Sequence, residues 1–135
     1  MNRLWRVICL MICAVALVSC RESAQPTPTL NPNVQISLEQ PATPYHVGQD
    51  ALIISVTDAA NRPIRDAVVE VVGDMNHAGM QPVYSMAETH ANEQYVVLFN
   101  WTMGGDWRLT VTVTLPDGTR AIRQFDVTVL AKEVN

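Results

Sequence analysis

Cysteine is missing from everything after position 20, and that absence removes several classes of function. The three cysteines of the 135-residue chain are Cys9, Cys13 and Cys20. A later segment without thiols can form no internal disulfide, no thiolate zinc site and no cysteine-ligated copper centre of the blue type. It offers no cysteine nucleophile either. Runs of basic charge are also lacking, which argues against nucleic acid as a partner. No basic amphipathic helix can be written, so a second membrane-binding element is not expected. Glycine-rich phosphate loops, the Gly-x-Ser-x-Gly turn and paired histidines at helical spacing are absent too. The acidic residues are scattered, and the chain does not read as an enzyme.

What is present begins with a targeting segment. Arg3 and Arg6 precede an apolar run over 7–18. That run is too short to cross a bilayer comfortably, where about twenty residues are needed. A charged start, a short apolar middle and small residues at its end describe a secretory signal peptide over 1–19. Its ending, Leu17-Val18-Ser19-Cys20, resembles a bacterial lipobox. In a lipobox the cysteine is lipidated and becomes the first mature residue. The expected product is tethered to the membrane through lipid on Cys20 and lies outside the cytoplasm, in a periplasm or at a cell surface. Seven basic residues would then face thirteen acidic ones, a formal charge of −6. Residues 20–33 carry the lipid site and three prolines, a stiff extended linker.

The part from 34 to 132 reads as one all-β domain. Trp107, Leu109, Val111 and Val113 alternate with Arg108, Thr110, Thr112 and Thr114, the spacing of a half-buried strand. Phe125, Val127 and Val129 repeat the pattern, as do Leu52, Ile54 and Val56. Residues 95–101 and 67–72 are more continuously apolar, as strands covered on both faces or in a sandwich core would be. Residues 34–38 and 83–87 are weaker strand candidates, and 88–94 reads as a polar loop. Turn chemistry separates the runs at Asn61-Arg62-Pro63, Gly104-Gly105 and Pro116-Asp117-Gly118. Seven short strands in about a hundred residues predict an immunoglobulin-like β-sandwich. Residues 58–69 also resemble the strand–turn–strand signature of many bacterial immunoglobulin-like domains.

Chemistry concentrates in Asp74-Met75-Asn76-His77-Ala78-Gly79-Met80. If extended backbone continues through His77, Met75 and His77 share a face. Gly79 allows a bend that returns Met80 toward them. Thioether and imidazole together form a neutral, soft donor set suited to Cu(I). Methionine also packs irregular core spaces well, so Met80, Met86 and Met103 have a purely structural reading, and Met86 is expected in the core. His46 reads as part of a strand start and is left off the site. Trp101 and Trp107 are expected as core anchors.

The Met75–His77–Met80 segment resembles the methionine–histidine signature of the YtkA-like family, small exported domains often linked to copper. It shares something with FixH-type domains associated with cytochrome oxidase assembly. Met103-Gly104-Gly105-Asp106-Trp107, following the strand at 95–99, resembles the same family's passage into its next strand. This chain departs from the richest versions of the signature in having one histidine within it. The resemblance implies Met75, His77 and Met80 as primary copper ligands and Met103 and Met86 as secondary ones; His90, in the polar loop over 88–94, either caps the site or is simply solvated. It also implies a copper protein or an oxidase subunit as partner. Two functions follow. One is a tethered protein that buffers or delivers Cu(I) by Met/His ligand exchange. The other is a metal-free immunoglobulin-like interaction module at the cell surface.

Overall fold

The computed structural model describes residues 30–131 except 76, 78 and 92, and for 88–91 the backbone alone. The expected signal segment, Cys20 and the first part of the expected linker lie outside the described residues. Eight strands follow in chain order: β1 (Gln35–Leu38), β2 (Tyr45–His46), β3 (Gly48–Thr57), β4 (Val68–Asp74), β5 (Val83–Ala91), β6 (Gln94–Trp101), β7 (Gly105–Thr114) and β8 (Arg120–Leu130). They hydrogen-bond in the order β1-β3-β6-β5-β4-β7-β8-β2.

That ladder folds over on itself at β5. The first part of β5 pairs with β4, Glu70 against Met86 and Val72 against Tyr84. Beyond a bulge between Ala87 and Thr89 it pairs with β6, where His90 meets Tyr95. A bulge adds twist and bends a strand, which lets one strand serve two sheets. The result is two sheets face to face, β1-β3-β6-β5 against β5-β4-β7-β8-β2. In immunoglobulin lettering these are A-B-E-D against C-F-G with short additions, so the all-β, immunoglobulin-like reading holds. The eighth strand is the two-residue β2, which runs parallel to β8.

Alternation decides the core. Leu52, Ile54 and Val56 of β3 are buried, as are Trp107, Leu109, Val111 and Val113 of β7. The two more continuously apolar segments are strands of the sandwich core, each with one face inside. β6 buries Tyr95, Val97, Phe99 and Trp101 and turns Leu98 outward, while β4 buries Val69 and Val71 and exposes Val68. Both lie in antiparallel sheets with one solvated face, which needs only every second residue inside. Two expectations change. Residues 88–91, read as polar loop, continue β5 up to the turn into β6. Met86, expected in the core, stands on the outer face opposite Glu70.

An aromatic cluster closes one end of the sandwich. Trp101 lies 4.7 Å from Phe99 and 5.1 Å from Tyr45, and meets Trp107 across the sheets at 5.4 Å, nearly edge-on. Such tilted pairs add about 0.5–1.5 kcal/mol each beyond their burial. Opposite edges are also clasped, since the Arg123 guanidinium on β8 donates to the Ile36 carbonyl of β1 at 2.6 Å. The first described residues are tied in as well: Leu30 bridges Arg120, and the Asn31 amide donates to the Arg120 carbonyl at 2.7 Å.

Candidate functional site

The methionine–histidine segment is the connection from β4 to β5, at the same end as the aromatic cluster. β4 ends at Asp74, so the extended run that would set Met75 and His77 on one face stops short. The His77 amide donates to the Met75 carbonyl at 2.7 Å and the Met80 amide to the His77 carbonyl at 3.2 Å. These two bonds wind the loop into successive tight turns. Their effect is to separate the side chains by depth: Met75 and Met80 are half-buried and pack against the core, while His77 is exposed.

Both half-buried thioethers meet residues 102–105, the β6–β7 turn and the first residue of β7. The Thr102 hydroxyl lies 4.0 Å from the Met80 sulfur, in reach of a weak O–H···S contact. The Met75 methyl occupies space over Gly105, 2.7 Å from where a Cβ there would sit. Gly105 also has φ of 131°, a conformation few side chains tolerate, so glycine serves this position twice. Met103 belongs to the turn itself and is 38 % exposed. Its carbonyl accepts a 3.0 Å hydrogen bond from the Trp107 indole N–H, which fixes the turn onto the aromatic cluster. The neighbouring Trp101 indole N–H is buried and has no acceptor among the described residues.

Met75 and Met80 therefore both reach residues 102–105, the stretch that carries Met103, and exposed His77 lies between them on the β4–β5 loop. The other two candidates lie elsewhere. Met86 stands on the outer sheet face, past Tyr84 along β5. The backbone of His90 is seven residues beyond Val83, about 20 Å down the strand, and its side chain lies outside the described residues. The sequence reading missed Thr102, Gly105 and the indole bond to Met103. The signal for them was the Met103-Gly104-Gly105 string, whose partners come from a loop more than twenty residues earlier.

Beside the turn lies an open depression of about 780 Å³, lined by Met75, Pro82 and Trp107 together with Asp74, Asp106, Asp126 and Arg108. Three carboxylates against one guanidinium give it a negative field that favours cations. All three carboxylates are already engaged, Asp126 by Arg108 at 2.9 Å, Asp106 by the Thr128 hydroxyl at 2.8 Å and Asp74 by the Met75 amide at 2.8 Å. Among the described residues no three His, Cys, Asp or Glu side chains are grouped to hold a metal ion. The potential ligands near residues 102–105 are thioethers, a soft type that could hold Cu(I).

The fold and this end of it define a small immunoglobulin-type sandwich that carries methionines on adjoining loops. Residues 31–112, more than half of the chain, match the family model described as YtkA-like. The chain belongs to the YtkA-like family. No curated protein matches it. Among solved structures it is similar to murine CRIg, at 13 % identity over 73 % of this chain and 99 % of that one, with a TM-score of 0.41. So distant a likeness carries no argument, and the fold rests on the strand order.

Proposed function

We propose that the protein is a lipid-tethered, extracytoplasmic Cu(I)-binding module that buffers copper or hands it to a partner by exchange of methionine and histidine ligands. The observation that carries this reading is that Met75 and Met80 both reach residues 102–105, the stretch that carries Met103. Thioethers are neutral and need no deprotonation to bind, so the site would work across a wide pH range. The graded depth suits transfer: half-buried sulfurs hold the ion while exposed His77 and Met103 meet an incoming ligand. The negative field of the depression would raise the local concentration of cations. Lipid on Cys20 would keep the module near membrane-bound recipients, of which a copper protein or an oxidase subunit is the class expected. We assign no catalytic step.

One observation favours the metal-free interaction module instead: Met75 and Met80 pack against the core as ordinary gap-filling methionines do. A Cu(I) competition titration separates the two readings. The chain is expected to bind one Cu(I), and Met80→Leu with Met103→Leu, which keep volume and remove sulfur, should weaken binding at least tenfold. His77→Ala should weaken it less and speed exchange. Absence of binding, or affinity indifferent to the two leucines, would leave the interaction module.

A further inference from the structure

The outer face of the β5-β4-β7-β8 sheet is more apolar than a solvated sheet face needs to be. Tyr84 is 73 % exposed, Met86 54 %, Ile122 51 % and Val68 48 %. Strand register places all four on this one face, in rows that cross the sheet. The first row holds Asp74, Arg108 and Asp126. The second holds Tyr84, Val72, Thr110 and Gln124. Met86, Glu70, Thr112 and Ile122 make the third, and Val68, Thr114 and Arg120 the fourth.

From this arrangement we propose that the face docks a second copy of the same chain, about a twofold axis parallel to the strands. Such an axis lays β5 over the partner's β8 and β4 over the partner's β7, row upon row. Met86 then meets Ile122, Val72 meets the Thr110 methyl, and Val68 meets Thr114. Glu70 falls opposite the Thr112 hydroxyl, and Asp74 falls opposite Arg108. Symmetry makes every one of these matches twice.

The alternative axis, perpendicular to the strands, sets Glu70 on Val72 and Asp74 on Val68. That would bury carboxylates against apolar side chains, at a cost no new contact offsets. Charge and polarity thus select one orientation from the two. The selected axis also sets both copies' Leu30 at the same end, as the proposed tethering of two chains to one membrane would need.

Four strands and four rows span roughly 500 Å² per copy, from strand and row spacings of about 4.8 and 6.8 Å. A standard interface needs about 800 Å² per partner, so the pair is weak in dilute solution and forms where tethering concentrates the chains. The inference needs no copper, but it rests on the proposed lipid tether for its local concentration, and its first two rows, Tyr84 apart, line the depression beside the methionine loop.

Sedimentation velocity on the full chain in density-matched detergent tests it. A monomer–dimer equilibrium is expected, weakened at least tenfold by Met86→Lys and by Ile122→Lys, both at exposed positions that leave the fold intact. Asp74→Arg alone and Arg108→Asp alone should each weaken it. Mixing those two variant chains should restore dimer, because the mixed pair sets the new Arg at 74 against the new Asp at 108, a rescue that neither misfolding nor shared micelles can produce. A chain monomeric up to about millimolar concentration, or a dimer indifferent to these substitutions, would overturn the proposal and give the face another occupant.

Discussion

Tyr95 shows how one residue can hold a loop in place without helix or disulfide. Its hydroxyl donates to the Ile64 carbonyl at 2.9 Å and accepts from the Ala67 amide at 3.0 Å, pinning the β3–β4 connection to the start of β6. Burial raises its pKa, an effect reinforced by the nearby Asp66 charge and opposed by the Ala67 amide. Tyr95→Phe leaves both backbone groups without this partner and should cost about 1–3 kcal/mol in a denaturant titration. Asp58, at the other end of the same connection, works by charge. It accepts from the Ala60 and Arg62 amides at 2.8 and 3.0 Å and pairs with the Arg62 guanidinium at 2.7 Å. The Arg62 bonds, backbone then side chain, hold its pKa below the ordinary value, and Thr119 does the same for Asp117. A depressed carboxylate stabilises the fold above its unfolded pKa of about 4, and that stability goes as pH falls through the lower folded value. Thermal unfolding should therefore shift down below about pH 4. Asp58→Asn should flatten that acid limb and leave the Asp117 part.

At the scale of elements, β4 and β5 hold the interest. Gly73 sits where β4 passes the aromatic cluster: an added Cβ would come 2.4 Å from the Phe99 ring and 3.2 Å from Leu109. Phe99 is buried between Trp101 and Trp107 and has little room to retreat. Gly73→Ala should thus cost about 1–3 kcal/mol through overpacking. It should also change the near-UV circular dichroism of the tryptophans, whereas Gly118→Ala, with nothing within 4 Å of its added Cβ, should leave that spectrum alone. β5 carries the larger lesson about patterning. Its second half was legible only as polar loop, because Glu88, Thr89 and His90 show no apolar alternation. Those residues follow the bulge at which β5 changes sheets, and backbone pairing to β6 makes them a strand all the same.

For the molecule as a whole, the all-β sandwich was readable because β3, β7 and β8 each alternate over their core-facing residues. The Pro116-Asp117-Gly118 hairpin and the Asn61 turn were readable for a separate reason. Each depends on residues that tolerate special backbone angles, and Asn61 and Gly118 indeed have φ of 58° and 83°. The candidate site was legible in part. Met75, Met80 and Met103 stood out by residue type, but the reach of Met75 and Met80 to residues 102–105 did not. Met86 was read as core, since a thioether in a strand carries no mark of which face it takes. Its true place on the outer sheet is what turns attention to self-association, and the mixed-chain experiment at Asp74 and Arg108 addresses the protein at this scale.

Composition and periodicity alone determined the class of fold, the thiol-free domain, the turns and the soft character of the donor segment. These are local properties, set by side-chain chemistry and a repeat of two. Tertiary structure decided the rest: where β5 leaves one sheet for the other, which methionines reach residues 102–105, and which face stays apolar in water. Each of those depends on strand register and on which residue sits opposite which across the sheets, and that pairing joins segments far apart in the chain.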